Sequence, residues 1–128
     1  MKRSILIVED LAALTLTYRL IFEADGWTAV CAENKETAIE AMQNLSFDVV
    51  FTDLNLEEDQ DGLEVVRAAK QQEQAPATIV VSGYLDPEIE QASYSVGADL
   101  VLAKPLQIPL LKAEIQRLLA RRKRAAAA

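Results

Sequence analysis

Glu9 and Asp10, Asp53, Ser82 and Lys104 are the residue types that phosphate and metal chemistry use, and each follows a short apolar run. Ile5 to Val8 runs into Glu9 and Asp10, Phe47 to Phe51 reaches Asp53 after Thr52, Thr78 to Val81 ends at Ser82, and Leu100 to Ala103 ends at Lys104. Three carboxylates brought together repel, which is tolerable chiefly when a hard divalent cation sits among them. Mg2+ takes few protein oxygens, keeps waters and leaves positions for phosphoryl oxygens, so Glu9, Asp10 and Asp53 read as a site that waits for a phosphate. Taken singly, an Asp after a strand is ordinarily a turn or helix cap. Ser82 and Lys104 at neighbouring run ends turn that reading toward chemistry.

The elements that would position these residues are legible as alternating strands and helices. Buried apolar runs of this length read as parallel strands whose carboxyl ends share one edge of a sheet. Between them, Leu14, Tyr18, Ile21 and Phe22 recur at helical spacing up to Gly26, and Trp27 to Ala32 forms a second strand. Asn34 can cap a helix with Ala38, Ile39, Met42 and Leu45 on its buried face. A third helix has Leu63, Val66 and Ala69 inward, a fourth starts at Asp86-Pro87-Glu88 and stops at Gly97, and a fifth carries Leu111, Ile115, Leu118 and Leu119. Five strands alternating with five helices imply an α/β fold, a doubly wound five-stranded parallel sheet with helices on both faces and the flavodoxin-like order 2-1-3-4-5. That order has its switch point between strands 1 and 3, where Glu9, Asp10 and Asp53 would meet.

Composition narrows the function. The 128 residues carry a net charge of -7, which argues against nucleic-acid contact by this domain, since phosphate backbones are held by clustered Lys and Arg. With no histidine, the chain cannot be a phosphohistidine donor, a His-ligated metal enzyme or a Ser-His-Asp hydrolase. Cys31 is the one cysteine, expected to be a buried strand thiol in a reducing compartment. No apolar stretch is long enough to cross a membrane and no cleavable leader is visible, so a cytoplasmic protein is expected. Residues 1–120 read as one domain; residues 121–128 read as a basic, solvated helix end followed by an Ala tail, a linker stub or expression scar.

From Ile5-Leu6-Ile7-Val8-Glu9-Asp10 through Asp53-Leu54-Asn55, Asp61-Gly62-Leu63, Ser82-Gly83 and Gly97-Ala98-Asp99 to Lys104-Pro105, the chain resembles the response-regulator receiver domain of two-component signalling. The resemblance implies that Asp53 is the phosphoacceptor for a sensor histidine kinase or phosphotransfer protein. It also implies that Mg2+ is held by Glu9, Asp10, Asp53 and the backbone carbonyl of Asn55, with Lys104 and Ser82 meeting the phosphoryl oxygens. The Lys104-Pro105 bond is commonly cis in this family, and Gly83 would let its loop approach the phosphoryl group. The protein would be a switch rather than an enzyme, catalysing its own phosphotransfer and dephosphorylation. Its output would run through helix 4, strand 5 and helix 5 to an effector protein or a fused output domain, and through the same face to a homodimer.

Departures are also visible. The family's switch aromatic in strand 5 is replaced by Val101, while Tyr84 would stand at the mouth of the site and shield an acyl phosphate from water. Tyr94 reads as an ordinary helix-face aromatic. The loop from Leu56 to Asp61 lacks the usual proline, is about one residue longer, and reads as a solvated acidic segment. Two alternatives stay open: a pseudo-receiver that works as an interaction module without phosphate, and an aspartyl-phosphate phosphatase. The second would need a general acid where Asn55 stands. A flavin-binding fold is disfavoured by the Glu-Asp pair where a phosphate loop would be.

Overall fold

Strands that must be covered on both faces read as continuous apolar runs, and here one strand is buried end to end and two more at all but one position. A computed structural model describes residues 2–127; Met1 and Ala128, the ends of the leader and tail readings, lie outside the described residues. The strands are β1 (Ser4–Val8), β2 (Thr28–Ala32), β3 (Val49–Asp53), β4 (Ala77–Ser82) and β5 (Leu100–Ala103). They form one parallel sheet in the order β2-β1-β3-β4-β5, as the alternation implies. The helices are α1 (Ala12–Ala24), α2 (Lys35–Asn44), α3 (Asp61–Lys70), α4 (Pro87–Ser95) and α5 (Ile108–Ala127).

The two faces of the sheet are sorted by residue parity. Ile5, Ile7, Phe51 and Ile79 pack with Tyr18 and Phe22 of α1 and with Leu111 and Ile115 of α5. Leu6, Val8 and Val50 face Ala38 and Met42 of α2, and Val80 faces α3 and Ala98. Helix starts follow local chemistry: the Asn34 side chain accepts from the Thr37 N–H at 2.8 Å and that of Asp86 from the Ile89 N–H at 2.8 Å.

Several expectations need correction. Leu45 is 52% exposed, because α2 ends at Asn44 and Leu45 turns extended. Trp27 and Phe47 are buried but precede their strands. Cys31 is only half-buried, since β2 is an edge strand, and burial still pushes its thiol above the usual range. Asp61 is not part of a solvated loop; it opens α3 and is 5% exposed. The basic cluster is exposed on α5, which continues to Ala127, and within it Arg122 also reaches back to donate to the carbonyls of Asp48, at 2.9 Å, and Ala75.

Candidate functional site

Register places the chemistry. Val8 pairs with Thr52, Asp53 with Val81, and Ser82 with Ala103, so Glu9 and Asp53 come out level at the carboxyl edge of the sheet, with Ser82 and then Lys104 stepping slightly beyond them. One ligand oxygen from each of Glu9, Asp10 and Asp53 lies within 4.8 Å of the others. Lys104 Nζ donates to Asp53 Oδ2 at 3.1 Å and stands 3.6 Å from Glu9 Oε2. Its backbone N–H donates to the Ser82 carbonyl at 2.8 Å, and the bond to Pro105 is cis. Thus Glu9, Asp10, Asp53 and Lys104 come together, with Ser82 at the neighbouring end of β4.

The donor set fits Mg2+. All three side chains offer hard carboxylate oxygens, Asp10 is exposed, and Glu9, 4% exposed, is held by the Leu11 N–H donating to its Oε1 at 3.2 Å. Burial, then the Asp53 charge, push the Glu9 carboxyl up to about 7, against the pull of the Leu11 N–H and Lys104. Burial works against the Lys104 ammonium, but the hydrogen bond and charge of Asp53, with Glu9, outweigh it and hold lysine above its usual value. A cluster in which one carboxyl keeps its proton near neutrality is short of positive charge.

A pH dependence follows. In chelator, folded Glu9 keeps its proton up to about 7 whereas the unfolded group releases it near 4.5, so between these values the folded state binds more protons. The stability that Glu9 contributes therefore falls as pH rises from about 4.5 to about 7 and changes no further above. Urea midpoints measured across that range should show the slope, and Glu9→Gln should reduce it. An unchanged slope in the variant would assign it to other carboxyls.

The remaining predicted residues are placed as follows. The Ser82 hydroxyl donates to the Tyr84 carbonyl at 2.6 Å and accepts from the Tyr84 N–H at 3.2 Å, so it is tied to its own loop. Tyr84 is 71% exposed. Gly83 is exposed and a Cβ there would meet nothing within 4 Å, so no protein group demands its small size. Val101 is buried, and its N–H donates to the Tyr94 hydroxyl at 3.2 Å; Tyr94 covers the open edge of β5 and is more than a helix-face aromatic. Asn55 lies in the loop after β3, its Oδ1 accepting from the Gln60 N–H at 2.8 Å.

Sequence reasoning missed how this edge is held. Gly62 lies against the backbone of Asp53 and Leu54, and Lys35 pairs with Asp61 at 3.3 Å. Tyr18, read only as core, lines a largely apolar cleft of about 550 Å³ with Lys104, Gly83 and Pro105. A second cleft, of about 390 Å³, opens from Glu9 and Asp10 between α1 and β2 toward Arg19 and Cys31. No periodicity or motif announces contacts between elements so distant in sequence.

Comparison with known proteins agrees with this geometry. The family model described as response regulator receiver domain matches residues 5–116. The chain is 32% identical over 112 residues to a cyclic di-GMP phosphodiesterase of Thermotoga maritima, covering 88% of this chain and 30% of that protein. It is 31% identical over 119 residues to the TorCAD operon transcriptional regulatory protein TorR of Escherichia coli, covering 93% and 51%. It therefore spans about half or less of these relatives. Among solved structures, a CheY-like receiver domain protein from Methanospirillum hungatei superposes with a TM-score of 0.90 at 26% identity, covering 98% of this chain and 99% of that one.

Proposed function

The chain belongs to the response regulator receiver domain family, and on that premise we propose that Asp53 accepts a phosphoryl group from a sensor histidine kinase or phosphotransfer protein. Members of this family are phosphorylation-activated switches of two-component signalling. In this reading residues 1–120 are the switch, and the face built by α4, β5 and α5 carries its output to an effector protein or fused domain, or to a second copy.

The observation that carries the reading is the position of Asp53, between an acidic pair on β1 and an ammonium 3.1 Å away on the loop after β5. An Asp53 carboxylate oxygen attacks the phosphorus, the phosphorus–nitrogen bond of the donor imidazole breaks, and an acyl phosphate forms. Glu9, Asp10, Asp53 and the Asn55 carbonyl would hold Mg2+, whose charge neutralises phosphoryl oxygens and aids in-line transfer. Lys104 is already hydrogen-bonded to the acceptor, so a small turn carries its ammonium from carboxylate to phosphoryl oxygen. Ser82 must release the Tyr84 carbonyl before it can donate to a phosphoryl oxygen, and that release frees the loop leading into α4. Tyr84, two residues after Ser82, would shield the product from water.

Incubation with Mg2+ and a small acyl-phosphate donor should add one phosphoryl group by intact mass, lost in base and absent in chelator. No adduct with metal bound would favour the other reading, an interaction module working without phosphate; the specific observation behind it is Val101, which supplies no ring to swing.

Lys104→Ala should still accept the phosphoryl group but fail to pass the change on. Hydrogen exchange over residues 82–105 is expected to respond to phosphorylation in the unmodified protein and not in the variant. An equal response in both would remove Lys104 from signal transfer.

A further inference from the structure

The loop between β3 and α3 carries Asn55 and is the least regular part of the site, with Gln60 in the left-handed region at φ 63°. Its chain is fastened at three depths. Leu56, 8% exposed, packs in the same cluster as Ala38 and Met42 of α2. Asp61 accepts the Glu58 N–H on Oδ2 at 3.1 Å, closing the loop on itself, and offers Oδ1 to Lys35 Nζ at 3.3 Å. Beside Lys35, Asn34 caps α2 with its oxygen and points its Nδ2 at Glu57 Oε1, 3.4 Å away.

Asp61 is a nearly buried carboxylate, and Lys35 is the cation paired with it. A buried charge left with one backbone donor relaxes toward water, and Asp61 can do so only by releasing Glu58 and opening the loop. We propose that Lys35 is a positioning residue for the metal site, acting through Asp61 to hold the loop that carries Asn55, whose side chain accepts from the Gln60 N–H beside Asp61 and whose carbonyl would be a metal ligand. This rests on the Mg2+ reading above. Outer partners that orient metal ligands are worth about tenfold or more in metal affinity.

Simple electrostatics gives the opposite sign, which makes the inference testable. Removing a lysine from an acidic surface raises the local negative potential and should tighten a divalent cation. Mg2+ alone, titrated calorimetrically into the full chain without phosphodonor, separates the two. Lys35→Met should weaken Mg2+ binding about tenfold, Lys35→Arg should restore it to about the unmodified level, and phosphorylation at saturating Mg2+ should be unchanged in both. Asp61→Asn should reproduce the Lys35→Met weakening. Equal or tighter Mg2+ binding by Lys35→Met overturns the role of Lys35 while leaving the metal site intact. Absence of Mg2+ binding by the unmodified protein overturns both.

Discussion

Asp53→Asn is expected to abolish the phosphoryl adduct, with labelling from a small acyl-phosphate donor reduced about 10³-fold or more, while the fold stays intact. The amide has no nucleophilic carboxylate, yet it keeps the shape and can still accept from Lys104, now 3.1 Å from Oδ2. The change also removes one of three mutually repelling carboxylates. Because the Asp53 charge is the second cause of the raised Glu9 pKa, the variant's Glu9 should titrate lower, and its thermal midpoint in chelator should match or exceed that of the unmodified protein. Retained labelling would place the acceptor elsewhere. A collapsed midpoint would mean that the Lys104 ion pair, not the site chemistry, is what Asp53 is for.

The residues of this cluster were legible because each sits where an apolar run stops. A parallel sheet converts four such stops into one edge, so Glu9, Asp10, Asp53, Ser82 and Lys104 needed no contact information to be grouped. Helix starts were legible for the same local reason: Asn34 and Asp86 cap within three residues of themselves. Local chemistry written in consecutive residues is what one sequence displays well.

What was not legible joins elements far apart. Lys35 and Asp61 read separately as a helix-start lysine and a loop acid, and only the packing of α2 beside α3 pairs them. Arg122 read as one of four solvated cations, and it is exposed, but nothing local showed that it also crosses to carbonyls at Asp48 and Ala75. Cys31 was read as buried from its apolar neighbours alone, although the expected order 2-1-3-4-5 already put its strand at an edge. Ser82 was correctly placed, but its tie to Tyr84 belongs to rotamer geometry. The acidic loop shows the same limit, since four acids in a row of six looked uniformly wet and one of them is buried.

Gly62→Ala is the substitution expected to damage the fold and the site together. The glycine was read only as part of a motif, and its φ is not the reason for it. A Cβ there would lie 2.2 Å from the Asp53 carbonyl oxygen, 2.9 Å from Leu54 Cα and 3.0 Å from the Leu54 carbonyl oxygen, all backbone atoms that cannot swing aside. The Gly62 N–H also donates to that Leu54 oxygen at 2.8 Å, so α3 is pinned against the end of β3 at its first turn. One methyl must push α3 outward or drag Asp53 and Leu54 with it. Overpacking of this kind costs about 2–3 kcal/mol, or roughly 10 °C in thermal midpoint for a domain of this size. A displacement near 1 Å at Asp53 would slow phosphoryl transfer about 10²-fold. Gly83→Ala is the control, because its Cβ meets nothing within 4 Å and its midpoint should stay put. If the two alanines behave alike, the close approach of α3 to the strand that carries Asp53 is not what holds Asp53 in place; if only Gly62→Ala fails, and its phosphorylation falls further than its unfolded fraction explains, then the first turn of α3 is part of the site.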